Sequence, residues 1–121
     1  MPNRFALSSI IAISIASPAL AAPLAKPSAF GICAACHKVD KGAPNGVGPN
    51  LFGIGNTKAG DVPGFAFSPA MKNSNIKWTK ENLVAFIQNP RKIVPGNRMP
   101  FAGLKNPQSA EAIASYILSL K

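Results

Sequence analysis

The sequence predicts a small all-α domain in which short helices and long loops wrap around something other than their own side chains. Three observations carry that expectation. Twelve prolines and ten glycines punctuate the 121 residues, most densely from Gly42 to Gly64, and leave room for short helical patterns only. No strand pattern is visible. The only two cysteines and the only histidine fall in one pentapeptide, Cys33-Ala34-Ala35-Cys36-His37. Regular structure this sparse encloses a poor core, so another group is expected to occupy the middle.

The elements follow in order. Residues 1–21 read as a secretory leader: Arg4 gives a positive start, Phe5 to Ala16 are apolar or small, and Ala19-Leu20-Ala21 supplies a small-x-small cleavage site. The apolar run falls short of the ~20 residues needed to span a bilayer. Cleavage after Ala21 leaves residues 22–121 as one domain. A first helix is expected from Ser28 to Val39, carrying Phe30 and the pentapeptide. Residues 40–67 read as loop. Ser68 and Pro69 are an N-cap and first position for a short helix containing Met71. Thr79 caps a helix to Asn89 that buries Leu83, Phe86 and Ile87 at 3.6-residue spacing, and Pro90 stops it. Asn106 caps a last helix with Pro107 at its first position, and Ile113, Tyr116, Ile117 and Leu120 form its apolar face.

Thirteen Lys and Arg against four acids give a net charge of +9. Loss of the leader removes Arg4 alone among them and leaves +8 on 100 residues. Such a charge suits an acidic protein partner or an anionic surface. Export argues against nucleic acid.

A C-x-x-C pair in an exported chain allows three chemistries. A thioredoxin-like disulfide wants a βαβ context. Structural zinc wants four Cys or His ligands, and three are available. Covalent haem needs two thiols one helical turn apart along a porphyrin edge, with the next residue, His37, turned onto the iron. The C-x-x-C-H spacing therefore points to one haem c bound through Cys33 and Cys36. A sixth ligand must be nitrogen or thioether sulfur, and no second histidine exists. Outside the leader only Met71 and Met99 remain. Met71 sits in a helical pattern as core filler, whereas Met99 sits in a stiff loop with Pro95, Gly96 and Pro100. Met99 is the expected axial partner of His37. Methionine/histidine ligation raises the potential of haem and leaves no open position, which favours electron transfer over gas binding or turnover.

In this respect the chain resembles the class I c-type cytochromes, the soluble mitochondrial type and its small periplasmic bacterial relatives. The matching pieces are CAACH, GVGPNLFGIG, KAGDVPGF, Trp78, NPRKIVPGNRMPFAGLK and a C-terminal helix with Tyr116, in order across nearly all of residues 22–121. The resemblance implies a cytochrome c fold and further site residues. Pro49 matches the proline whose carbonyl accepts a hydrogen bond from the axial histidine. Trp78 matches the tryptophan that reaches a buried haem propionate, and Phe101 the aromatic covering the haem beside the methionine loop. It also implies that the first and last helices cross, with Phe30 meeting Ile113 or Tyr116. Phe67, Phe86, Thr57 and Met71 stand where mitochondrial members have tyrosine, tyrosine, arginine and asparagine, so that side of the site is more apolar.

The resulting expectation is a monomeric, soluble, periplasmic one-electron carrier, not an enzyme. Its partners would be acidic docking faces of redox proteins: an oxidase, a bc-type complex, a reaction centre or a dehydrogenase. By resemblance, Arg91, Arg98 and Lys105 match positions of a basic ring at the haem edge, with Lys92 beside them, and the ring is thinned because Ile32 and Gly46 replace usual lysines. A haem peroxidase or gas-binding protein with a displaceable sixth ligand, and a haem-free dithiol or metallochaperone, are the competing readings.

Overall fold

A computed structural model describes residues 2–3, 8–17 and 21–121. Arg4, Phe5 and the Ala19-Leu20 part of the expected cleavage site lie outside the described residues. After a 3₁₀ turn at Ser28–Phe30 come α1 (Gly31–Ala34), α2 (Pro69–Lys72), α3 (Lys80–Gln88), α4 (Pro90–Ile93) and α5 (Pro107–Leu118). Among the described residues there is no strand. One isolated antiparallel bridge, Lys58 to Lys77, closes the long loop.

Side-chain caps start α2 to α5. Ser68 Oγ accepts from the Met71 N–H at 3.1 Å, Thr79 Oγ1 from Asn82 at 3.2 Å and Asn106 Oδ1 from Ser109 at 2.9 Å. Each satisfies an amide that the first turn leaves without an intrahelical acceptor. Leu83, Phe86 and Ile87 are buried on α3, and Ala110, Ile113, Ala114, Tyr116 and Ile117 on α5. These two apolar faces pack against each other. Phe30 is fully buried and meets Tyr116 edge to face, ring centroids 5.0 Å apart, so the start of the domain crosses its last helix as the family pattern implies.

Three boundaries differ from the sequence reading. The first helix ends at Ala34 instead of Val39: the Cys36 and His37 amides both turn back to the Cys33 carbonyl, and the Cys36 carbonyl accepts from Gly48 at 2.9 Å. A tertiary bond to the loop thus replaces continuation of the helix. Pro90 not only ends α3 but begins α4, with Asn89 Oδ1 accepting from the Lys92 amide at 3.3 Å. A proline cannot continue a helix yet suits the first turn of a new one. Leu120 is buried but lies beyond α5, where its carbonyl accepts from the Gly53 amide at 2.7 Å.

Candidate haem site

The helices do not fill the middle of the domain. A cavity of about 800 Å³ opens there, near the top of the ~300–1,000 Å³ range of small-molecule and cofactor sites. Cys33, Cys36, His37, Pro49, Trp78, Met99 and Phe101 all line it. The fold therefore brings all seven expected site residues to one space, from segments as far apart as α1 and the loop after α4.

On one wall, the short α1 and the turn after it present the two half-buried, unbridged thiols and the imidazole. His37 Nδ1 lies 2.7 Å from the Pro49 carbonyl oxygen. A carbonyl can only accept, so Nδ1 carries the proton and Nε2 keeps its lone pair for a metal. Burial pulls the imidazole below its usual pKa, opposed by the Pro49 bond. Burial pushes the Cys33 thiol above its ordinary value, and Cys36 beside it adds to the effect. A disulfide-exchange thiol needs the reverse.

Gly48 makes this wall possible. A Cβ there would stand 2.6 Å from His37 Cε1, so any larger residue would drive the ring off the Pro49 carbonyl. The Pro49 segment is held by residues that sequence reasoning passed over. Asn50 Nδ2 donates to the Asp40 and Ala43 carbonyls at 2.8 and 3.0 Å, while Asn45 Oδ1 accepts from the Asn50 amide at 2.9 Å and Asn45 Nδ2 donates to the Pro63 carbonyl at 3.0 Å. The Asn-Gly-Val-Gly-Pro-Asn run, with asparagines at both ends of a turn, was the available signal.

On the other wall, Trp78 is buried and packs on Phe86 with centroids 5.0 Å apart. Phe67, Phe86 and Met71 also line the cavity. Thr57 instead spends its hydroxyl on the Ile54 carbonyl at 2.7 Å. Phe67, Phe86 and Met71 thus make this part of the wall apolar, and the Oγ of buried Ser68 beside them is occupied by the Met71 amide. Both methionines reach the cavity, so the contrast between them is one of backbone: Met71 is helical and Met99 is in the loop. A large, mostly apolar slot with two thiols, a metal-ready imidazole and thioethers fits a covalently attached haem.

The cytochrome c family model matches residues 28–121. Cytochrome c2 iso-2 of Magnetospirillum fulvum is 46% identical over 94 residues, covering 78% of this chain and 97% of the relative. Cytochrome c2 of Rhodoblastus acidophilus is 46% identical over 99 residues, covering 82% and 92%. Among solved structures, cytochrome cH from Methylobacterium extorquens superposes with a TM-score of 0.68 at 41% identity, covering 74% of this chain and 89% of that one. Sequence, fold and cavity agree, and the chain belongs to the cytochrome c family, with Cys33 and Cys36 as the attachment points of a covalent haem c.

Proposed function

We propose that residues 22–121 are a soluble periplasmic one-electron carrier whose haem iron is ligated by His37 and Met99. The observation that carries this reading is the convergence of Cys33, Cys36, His37 and Met99 on one largely apolar cavity. The haem supplies a one-electron ferric/ferrous couple, and the protein supplies the surroundings that keep that couple reversible. Pro49 orients His37 through Nδ1, and Gly48 leaves room for the ring. Phe67, Phe86 and Trp78 exclude water from the opposite side. With His37 and Met99 both holding the iron, little would have to reorganise between the two oxidation states.

Export is supported by the leader pattern of residues 1–21 and by Ile10, Ile11, Ile13 and Ile15, which are 82–93% exposed. An apolar stretch without a place in the fold is consistent with removal. Among the described residues no helix is long and apolar enough to cross a membrane. Intact mass spectrometry of the exported protein is expected to give residues 22–121 plus one haem. A membrane-retained species that still carries Met1 would refute cleavage.

The cavity mouth is the docking face this reading favours. Ile32 and Val47 line the cavity and are 59% and 75% exposed, which gives the mouth an apolar centre. Arg98 lines it as well, and Arg91, Lys92 and Lys105 are exposed. A redox protein with an acidic rim around an apolar contact is the matching partner class. Rim charges mainly set association rate. Arg98→Ala is therefore expected to slow electron exchange with an oxidase or bc-type complex several-fold at low salt and to flatten the salt dependence in stopped-flow. Lys121→Ala should do neither, and equal slopes for the two variants would remove the docking face. Lys105 is the poorer probe because its Nζ also donates to the Gln88 carbonyl at the end of α3, at 2.9 Å. Lys26 is the poorer control because it sits over the Phe30 ring, 5.7 Å from the centroid.

A further inference from the structure

Between Val94 and Leu104 the chain makes a long excursion along the cavity. We infer that Asn97 is the latch of this excursion: its side chain holds Met99 in place and so decides whether the sixth position stays filled or opens to added ligands. The inference rests on the reading of Met99 as the axial ligand.

Both donors of the Asn97 side-chain amide are used, and its oxygen accepts one bond. Nδ2 donates to the Pro90 carbonyl at 3.0 Å and to the Val94 carbonyl at 2.9 Å, while Oδ1 accepts from the Met99 N–H at 2.9 Å. The orientation is forced. A flipped amide would set its oxygen against two carbonyl oxygens and its NH₂ against an N–H. The anchored end is rigid, because the Pro90 and Val94 side chains are fully buried. The Pro90 carbonyl also accepts from the Val94 amide at 3.0 Å and the Val94 carbonyl from the Asn97 amide at 3.1 Å, so the Asn97 side chain takes the second lone pair of each.

The other end of the latch is the methionine itself. Its amide bonds to Asn97, and its carbonyl accepts from Phe101 at 2.9 Å, a bond within the same loop. Past Asn97, the next backbone tie to the body of the protein among the described residues is Leu104 to the Ile87 carbonyl, at 2.9 Å. The hydrogen bond made by the Met99 amide therefore leads back to α4 and its end through one side chain. Gly96, at φ +86°, turns the chain so that Asn97 faces back to α4, a conformation glycine adopts without strain. The same sequence could keep Met99 and yet lose its position.

Asn97 is a positioning residue, and its test must separate the latch from general stability. Mature haem-loaded protein is titrated with imidazole in the ferric state and with carbon monoxide in the ferrous state, followed by visible spectra. Asn97→Ala is expected to bind imidazole on the order of tenfold or more tightly than the unmodified protein, because the open state gains population when three hydrogen bonds no longer oppose it. Asn97→Asp keeps an acceptor for the Met99 amide but loses both donors to α4, and is expected to open as well. Asn82→Ala removes a comparable amide-to-backbone bond, to the Lys77 carbonyl at 2.8 Å, and should leave ligand binding unchanged. In unmodified protein the Met99 amide should exchange slowly with solvent by NMR, a readout independent of whether the variants fold. Unchanged imidazole affinity in Asn97→Ala, equal opening in Asn82→Ala, or a rapidly exchanging Met99 amide would each overturn the latch. Met99→Ala is the reference: strong imidazole binding there assigns any failure to the latch alone, and no gain there would overturn the axial reading itself.

Discussion

Replacing Cys33 and Cys36 together by alanine is expected to leave a chain that no longer melts cooperatively. The reason lies in where the cavity sits. It is bounded by residues that are otherwise the core, including Leu51, Ile54, Trp78, Leu83, Phe86, Ile113 and Ile117. An unfilled slot of about 800 Å³ would leave all of these side chains without packing partners on one side. Water entering so apolar a slot relieves little of this loss, since its walls offer few hydrogen bonds. The α3 and α5 faces would keep their contact with each other, but Leu83, Phe86, Ile113 and Ile117 would lose whatever covers their cavity side. Circular dichroism against temperature, with calorimetry, checks the result. A compact, haem-free double variant with one sharp transition would show that the side chains suffice, and would overturn the idea that fold and cofactor are one unit.

Met99→Ala is expected to open the sixth coordination position and to lower the reduction potential by on the order of 100 mV or more, given that axial ligation moves haem potentials over about 0.8 V. Thioether sulfur favours the ferrous state, so its loss moves the couple toward ferric. The informative partner is Met71→Leu. Both sulfurs belong to residues on the cavity wall, but Met71 lies on α2, with its amide held by Ser68 Oγ, and its replacement should change neither potential nor ligand binding. Spectroelectrochemical titration of the two variants, with imidazole added to each, decides between them. Ligand binding gained by the Met71 variant and not by the Met99 variant would reverse the assignment.

Most of the chemistry was legible in the sequence because it is local. The spacing of Cys33, Cys36 and His37 is set by one helical turn, and no tertiary contact is needed to read it. The caps at Ser68, Thr79 and Asn106 are legible for the same reason, since each is a side chain bonding an amide three residues on. The apolar stripe of α3 follows from periodicity alone, and the class I likeness extends that reading to Pro49, Trp78 and Phe101. What escaped depends on partners distant in the chain. The first helix stops early because the Cys36 carbonyl bonds Gly48, a residue in another segment. Helix α4 went unseen because four residues are too few to show a period, and its proline reads equally as a stop.

The sequence by itself determined the cofactor, the attachment points and the helical class, because those rest on residue identity and short-range spacing. Only the tertiary structure decided how the His37–Pro49 wall and the Met99 loop are held. Asn97, Asn50 and Asn45 are ordinary loop asparagines until the fold sets carbonyls from α4, the Asp40–Ala43 turn and Pro63 around their amides. A side-chain amide acquires a role from the groups it meets, and which backbone groups those are is a property of the folded chain.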